Sequence, residues 1–299
     1  MESFYSHGKL LLSAEYLVLK GAMALALPTK LGQYLSFKKN PSNYLRWKSF
    51  DENGLQWFDA KFSIKEFKII TSDNIKVANR LRNILLAIRN QNPVFLIKYG
   101  GKITTRLEFG RFWGLGTSST LIANLAKWSN VDPYILLSET FGGSGYDIAC
   151  ASAKKAIFYT RGIHSPRVEE INFNPSFKSA LYFVYLNQKI NSRQAVKKMM
   201  EKKINDSDIK KANKFSKLIG SCETLSDFEV LLTEHEYFIS QLISINPVKE
   251  KHFQDFKGAI KSLGAWGGDF ILATGDINTP KYFKKKGFSI VFGYNKLIY

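Results

Sequence analysis

Cysteine is scarce in this chain of 299 residues, which contains only Cys150 and Cys222, alongside 4 histidines and 8 prolines. Two cysteines without a CxxC spacing exclude a disulfide framework and a cysteine-ligated zinc site, and they are typical of a reducing compartment. The sequence also lacks an apolar run near the ~20 residues that a membrane-spanning helix needs. These absences predict a soluble, cytoplasmic protein that does not engage a membrane.

Acidic residues are also few, 25 against 43 lysines and arginines, so the formal net charge is +18. Such an excess has two interpretations: a surface for nucleic acid or anionic membrane, or a general enrichment in lysine. The basic residues are spread in short groups such as Lys38-Lys39 and Lys154-Lys155, without a basic arm. This pattern favours the second interpretation. We expect an anionic small-molecule substrate rather than nucleic acid, in a monomer or a homodimer.

The spacing of apolar residues predicts an α+β protein of two domains. An apolar fraction of 45% is enough to offset the conformational entropy lost on folding, which excludes a disordered chain. Strand-like runs dominate the start, and helical spacing occurs at residues 74–88, 118–128, 131–138, 192–201, 207–218, 227–243 and 249–263. Pro166 and Pro175 lie in a stretch without periodicity, so we place a boundary there, between domains 1–172 and 173–299.

A glycine-containing loop, residues 114–119 with the sequence Gly-Leu-Gly-Thr-Ser-Ser, joins a predicted strand to a predicted helix. Backbone N–H groups and the helix dipole bind anions at such a junction, and glycine lets the backbone approach a phosphate closely. A hydroxyl there can also bind Mg²⁺, as the hydroxyl of a P-loop does. The alternative is an ordinary glycine turn with a Ser/Thr cap, which the hexapeptide alone does not exclude.

Two further glycine loops follow in the chain. Residues 142–147, Gly-Gly-Ser-Gly-Tyr-Asp, end in Asp147, a carboxylate that could orient or deprotonate an attacking hydroxyl, or simply cap the next segment. Residues 263–269, Leu-Gly-Ala-Trp-Gly-Gly-Asp, lead into a strand and could be only a helix stop with a tight turn. Three such loops in a fixed order favour a functional interpretation more strongly than one loop alone.

In this order the sequence resembles the GHMP kinase superfamily, which includes galactokinase, homoserine kinase, mevalonate kinase and phosphomevalonate kinase. The first family motif is matched by Gly8, Lys9, Glu15, Tyr16, Val18 and Leu19, the second by residues 114–118, and the third by Gly264, Ala265, Gly267 and Gly268. Ser144 to Asp147 and the Gly-Gly-Asp ending at Asp269 look like the phosphomevalonate kinase branch. The resemblance implies a ribosomal-protein-like α/β domain followed by a ferredoxin-like α+β domain.

The resemblance also implies an activity: transfer of the γ-phosphoryl group of ATP, with Mg²⁺, to a hydroxyl or phosphate acceptor, the best candidates being phosphomevalonate and mevalonate. It implies catalytic roles for Lys9 and Asp147, and metal binding by Ser118 and Glu139. The phosphate-binding residues would be Gly114, Leu115, Gly116, Thr117, Ser118 and Ser119. The substrate-binding residues would be Glu15, Ser144, Gly145, Lys189, Arg193, Gly264, Ala265, Gly267, Gly268 and Asp269.

Several positions depart from the family pattern. Ala14 stands where glycine is usual, Trp113 and Trp266 are bulky residues at two of the loops, and the usual metal carboxylate falls on Leu136, with Glu139 the nearest substitute. Each indole could reshape the nucleotide pocket or stack on a base. Two alternatives therefore stay open: a GHMP-like kinase acting on another metabolite such as a sugar, and a catalytically weak homologue that binds nucleotide or RNA.

Overall fold

A computed structural model describes residues 1–163, 165–187, 202, 204–264, 266 and 269–299. The chain divides into two compact units that are not contiguous in sequence. Unit 1 contains Met1–Gly8, Leu31–Arg111 and Gly116–Ser152, and unit 2 contains Lys9–Lys30, Phe112–Leu115 and Ala153–Tyr299. The boundary at 172/173 stays a prediction. In the described part of the chain, no helix combines the length and the apolar character needed to cross a membrane.

The sheet of unit 1 has the strand order β5-β4-β3-β6-β2, and β1 also pairs with β2. Neighbouring strands are antiparallel except for β3 and β6, which run parallel. Burial alternates along the strands, so one face packs on the core while the other faces solvent. The strands are β1 (Glu2–Leu11), β2 (Ala24–Asn40), β3 (Tyr44–Phe50), β4 (Gln56–Ser63), β5 (Ile69–Ser72) and β6 (Gly100–Leu107).

Helices supply the other side of the unit 1 core. They are α1 (Ile75–Gln91), α2 (Thr117–Ser129), α3 (Pro133–Thr140) and α4 (Tyr146–Ser152). The side chain of Asn74 caps α1, and Asp132 caps α3 ahead of a proline in its first turn. The apolar faces of the helices meet the buried face of the sheet in one cluster that includes Trp47, Phe58 and Ile122.

Unit 2 contains a four-stranded antiparallel sheet of order β10-β11-β9-β12 and the hairpin β7-β8, which pairs with Ala24–Ala26 of β2. Its strands are β7 (Ala156–Thr160), β8 (Arg167–Ile171), β9 (Leu181–Tyr185), β10 (Ile260–Ser262), β11 (Phe270–Thr274) and β12 (Val291–Gly293). Its helices are α5 (Asp206–Gly220), α6 (Leu225–Ile243), α7 (Val248–His252), α8 (Thr279–Lys285) and α9 (Tyr294–Leu297), with a 3-10 turn at Leu17–Lys20.

The predicted helix at residues 249–263 is wrong. The helix ends at His252, and residues 260–262 form β10 instead, paired with β11. Gly258 explains the change, because a Cβ at this position would lie 1.9 Å from the carbonyl oxygen of Thr274. The close approach holds the segment against β11, so sheet pairing overrides its helical spacing. The predicted helices at 207–218 and 227–243 are confirmed as α5 and α6, and the one at 192–201 lies outside the described residues.

Candidate functional site

The predicted phosphate loop leads directly into α2. Gly114 and Gly116 have φ values of 75° and 99°, so both adopt the left-handed conformation that glycine tolerates best. Gly116 is the N-cap of α2, a helix of 13 residues, and as a glycine it has no side chain with which to cap the first N–H groups. The first turn of an α-helix leaves those N–H groups without helical partners, and the dipole favours negative charge there. The backbone therefore has the form of an anion-binding turn.

The hydroxyl groups of this turn differ in what they contact. Thr117 Oγ1 donates a hydrogen bond to the carbonyl oxygen of Arg111 at 3.0 Å, and Ser119 Oγ donates to that of Gly116 at 2.9 Å. Ser119 is buried, whereas Ser118 is exposed. Thr117 and Ser119 therefore shape the turn, and Ser118 presents its hydroxyl to solvent.

Lys9 is held against the preceding part of the loop, within unit 2. Its Nζ donates a hydrogen bond to the carbonyl oxygen of Gly114 at 2.7 Å, and its backbone N–H donates to that of Leu115 at 3.0 Å. The first motif and the second motif, which are 105 residues apart, therefore meet. The ammonium lies beside the peptide groups that precede the anion-binding turn.

Asp269 reaches the same peptide groups from the other end of the sequence. A Cβ placed on Gly114 would lie 2.3 Å from Oδ2 of Asp269, so a larger residue here would have to displace this carboxylate. Burial, followed by the negative charges of Glu15 and Asp269, raises the pKa of Tyr16 to about 12. The structure thus brings together Lys9, Gly114 and Asp269, one residue from each predicted motif.

Trp113 is packed on the four-stranded sheet of unit 2. Its ring centroid lies 5.7 Å from that of Phe292, 6.0 Å from that of Tyr185 and 6.3 Å from that of Phe270. The hydroxyl of Tyr185 donates to the carbonyl oxygen of Phe112 at 3.3 Å. Of the two roles that the sequence left open for this indole, the packing supports shaping of the loop, because the aromatic cluster anchors the residues just before Gly114.

The segment around Glu15 is strained and wholly buried. Ala14 and Tyr16 have φ values of 59° and 64°, and a residue held in such a sparsely populated conformation costs roughly 1–3 kcal/mol. Glu15 has no exposed surface, and its Oε1 accepts a close hydrogen bond from Nζ of Lys261, which is also fully buried. Burial raises the pKa of Glu15 to about 7, although the charge of Lys261 opposes the rise. The carboxylate predicted to touch substrate therefore lies inside unit 2 with a lysine partner.

His235 and Glu236 complete this buried cluster. The Nε2 atom of His235 accepts a hydrogen bond from the backbone N–H of Ala14 at 3.1 Å and lies 3.7 Å from Oε2 of Glu15. Glu236 accepts from the backbone N–H and the hydroxyl of Ser262, at 2.9 and 2.7 Å. Burial lowers the pKa of His235 well below its ordinary value, and Lys261 adds to the shift. His235 is therefore a neutral acceptor that fixes the strained turn.

Sequence reasoning missed this cluster, although one signal was present. His235 follows Phe228 by seven residues and Leu232 by three, so it lies on the apolar stripe of α6. A polar residue on such a stripe indicates a buried hydrogen-bonded group. The sequence contains no comparable sign that Lys261 is buried, because its position was assigned to the predicted helix at residues 249–263.

The second predicted loop lies in unit 1. Asp147 is in the first turn of α4, is half-buried, and accepts a hydrogen bond from the backbone N–H of Ile148 at 3.1 Å. Burial, followed by the charge of Asp147, raises the pKa of Tyr134 to about 12, which places that phenol in the field of the carboxylate. Gly145 is buried, with a φ of 89°, and Ser144 is half-buried. The loop therefore holds Asp147 at the start of a packed helix.

The predicted metal ligands are both exposed. Glu139 lies on α3 with its side chain in solvent, whereas Leu136, at the position where the family carries an acid, is fully buried in the core. No three His, Cys, Asp or Glu residues of the described ranges are grouped so as to hold a metal ion.

The third predicted loop is described only in part. Gly264 is described and has a φ of 64°, and Trp266 is buried in the same loop. Five predicted substrate contacts lie outside the described residues: Lys189, Arg193, Ala265, Gly267 and Gly268.

Comparison of the structure with solved structures identifies the fold. Mevalonate kinase of Methanococcus jannaschii is similar with a TM-score of 0.71 at 17% identity, over 97% of this chain and 96% of that one. Phosphomevalonate kinase of Streptococcus pneumoniae, in complex with phosphomevalonate and AMPPNP, gives 0.69 at 16%, over 98% and 99%. Galactokinase of Lactococcus lactis, in complex with galactose, gives 0.69 at 13%, over 95% and 88%.

By sequence, no protein-family model and no curated protein matches the chain. The structural likenesses nonetheless extend over nearly the full length of both chains. They confirm the two-domain GHMP kinase fold that the three glycine loops predicted.

Proposed function

We propose that this protein is an ATP-dependent phosphotransferase that moves the γ-phosphoryl group of ATP to a small anionic acceptor. The observation that carries the proposal is the glycine turn at the start of α2, with the ammonium of Lys9 bonded to the carbonyl oxygen of Gly114. This turn occurs in a fold shared with kinases. Phosphoryl transfer requires positioning and charge neutralisation more than covalent chemistry, and the turn offers both.

Each element has a proposed role. The N–H groups from Gly114 to Ser119 would hold phosphate oxygens, and the exposed hydroxyl of Ser118 would help to hold the metal that the nucleotide brings. Lys9 neutralises charge near the acceptor, and Asp147 orients or deprotonates the attacking group. Mg²⁺, when bound, neutralises charge on the phosphates, and Ser118 with Glu139 would hold it from the protein side.

Phosphomevalonate and mevalonate are the proposed acceptors. The support is the Ser144 to Asp147 element and the Asp269 ending, together with similarity to a phosphomevalonate kinase crystallised with that substrate and to a mevalonate kinase. A sugar is the second candidate, because the galactokinase in complex with galactose is similar to the same degree by TM-score. A net charge of +18 favours the phosphorylated acceptor through long-range attraction.

An ADP-release assay over a panel of phosphomevalonate, mevalonate, homoserine and galactose tests the proposal. We expect Mg²⁺-dependent ADP formation with phosphomevalonate or mevalonate. Ser118→Ala should lower turnover, whereas Ser138→Ala, an exposed serine on α3, should leave it unchanged. If every acceptor is silent and no ATP analogue protects the protein against unfolding, the proposed function is wrong.

A further inference from the structure

On the solvent face of the unit 1 sheet, strand pairing aligns the side chains in rows that run across the strands. Because residues alternate between faces, every second residue of β2, β6, β3 and β4 lies on this side. We call this surface the basic sheet face. It consists of Tyr34, Ser36 and Lys38 of β2, Lys102, Thr104 and Arg106 of β6, Tyr44, Arg46, Lys48 and Phe50 of β3, and Trp57, Asp59, Lys61 and Ser63 of β4.

One row across the four strands is made entirely of cations. Lys38 lies opposite Lys102, Lys102 lies beside Arg46, and Arg46 lies opposite Lys61. Neighbouring strands are about 4.8 Å apart, so the row places its cations along roughly 14 Å. Lysines and arginines that are scattered along the sequence are therefore collected into a line by strand register.

Folding does not account for this row. Like charges directly opposite one another destabilise a sheet, and Lys38, Arg46 and Lys102 are exposed rather than packed. Asp59 is the single carboxylate among the residues of the basic sheet face, and it bonds Arg46 at 2.9 Å and approaches Lys48 at 3.4 Å. Its charge cannot offset the others, so the row keeps an excess of positive charge that suits a chain of anions.

Aromatic rings flank the row on both sides. The Nζ atom of Lys61 lies 3.6 Å from the ring centroid of Tyr44. Tyr34, which is 38% exposed, lies opposite Arg106, whose guanidinium is 5.3 Å from its ring centroid, and Phe50 lies beside Arg106. Rings next to cations supply stacking platforms beside phosphate contacts, the combination with which sheets bind single strands.

We propose that the basic sheet face binds single-stranded nucleic acid, with phosphates along Lys38, Lys102, Arg46 and Lys61 and bases stacked on Tyr34 and Tyr44. Anionic lipid would need the charge alone, whereas rings on both sides of a row of cations fit a ligand that carries bases as well as phosphates. A splayed single strand can lie on an open sheet and expose its bases to the rings, which a duplex cannot do. The proposal is independent of phosphotransfer.

Fluorescence anisotropy with a labelled oligouridylate of about 20 nucleotides tests it. We expect binding at low salt with a log–log salt slope near −3, since about four phosphate contacts each contribute ~0.7. Lys102→Glu reverses the centre of the row and should weaken binding about tenfold and flatten the slope. Lys76→Glu is the matched control, because Lys76 is exposed on α1 in the helix layer and the net charge changes equally. It should stay within about twofold of wild type.

Three further measurements separate the possible outcomes. Tyr34→Leu should weaken binding about fivefold or more if a base stacks there. Lys102→Glu should leave the melting temperature unchanged or raised, which excludes misfolding as the cause of weaker binding. The proposal would be overturned if Lys76→Glu weakened RNA binding as much as Lys102→Glu does. It would also be overturned if heparin or phosphatidylserine vesicles bound as tightly as RNA and Tyr34→Leu had no effect on RNA binding. Failure to bind the oligonucleotide at low salt would also overturn it, whatever the ADP-release assay shows.

Discussion

Replacing Lys261 with methionine removes the ammonium that contacts Glu15 inside unit 2. Both side chains have no exposed surface, so Glu15 would be left in the interior without its cation. Breaking a buried pair in this way typically costs about 3–5 kcal/mol, because the remaining charge has no partner. That loss is a large fraction of the ~5–15 kcal/mol by which a folded protein is stable.

The loss should depend on pH in a defined direction. In the wild type, burial raises the pKa of Glu15 from its ordinary 4.5 to about 7 while Lys261 opposes the rise. Without Lys261 the pKa must rise further. A carboxyl whose pKa is higher in the folded state than in the unfolded state loses stability as pH rises between the two values. Wild type therefore loses this contribution up to about pH 7, and the variant continues to lose it above pH 7.

The difference in unfolding free energy between the two proteins should accordingly grow with pH above 7. The slope is about 1.4 kcal/mol per pH unit, so roughly 2.7 kcal/mol accumulates between pH 7 and 9 while the variant's pKa stays higher. Glu236 lies beside the same pair, and Lys261 lowers its pKa as well. The share of the difference that comes from Glu15 is therefore the part that disappears when Glu15 is also replaced.

Urea unfolding at pH 7, 8 and 9, followed by tryptophan fluorescence, measures this difference. The double variant Glu15→Gln with Lys261→Met lacks the Glu15 carboxylate and retains Glu236, so its difference from wild type should grow less steeply with pH than that of Lys261→Met alone. Lys286→Met, at the exposed pair with Asp255, is the matched control and should leave the slope unchanged. A Lys261→Met penalty that is constant from pH 7 to 9 would refute the reasoning, because it would mean that Glu15 does not take up a proton when its partner is removed.

Three other predictions concern the glycine turn, the second loop and the buried histidine. Gly114→Ala should destabilise the protein by more than Gly21→Ala, since both have positive φ but only Gly114 would also place its Cβ in contact with a carboxylate; thermal melts compare them. Asp147→Ala should lower kcat by about 10²–10⁴-fold with little change in the KM for ATP, and an unchanged kcat would exclude the proposed role. Burial lowers the pKa of His235, so the contribution of this residue to stability should fall as pH drops below 6.5. Urea titrations should therefore show that acidification below pH 6.5 is less destabilising for His235→Gln than for the exposed control His252→Gln.

Much of the fold could be predicted from local signals. The helix caps at Asn74 and Asp132 and the left-handed glycines of the turn are set by residues within a few positions of one another. The resemblance carried by the glycine loops implied the two-domain fold. The predicted helix at 249–263 failed because pairing with a strand remote in sequence decided its structure.

The candidate site was predictable only in part. Lys9, Gly114 and Asp269 were each selected from their motifs, but their contact depends on the fold of unit 2. Ala14 was noted as a departure from glycine, but the positive φ of its backbone, 59°, could not be predicted from the sequence. The row of cations on the sheet depends on the register of four strands, and register is a long-range property that charge spacing along the chain does not reveal.

The interleaving of the two units has a consequence for synthesis of the chain. Residues 28–30 belong to unit 2, and they bond to residues near the other end: Thr29 bridges Ile298, Lys30 Nζ donates to the carbonyl oxygen of Asn295, and the N–H of Tyr299 donates to that of Pro28. On the ribosome these early residues must wait for nearly 270 others before their partners emerge. Unit 2 can therefore complete its fold only after residues 295–299 have been synthesised. A nascent chain that stalls earlier would expose its apolar N-terminal strands to chaperones.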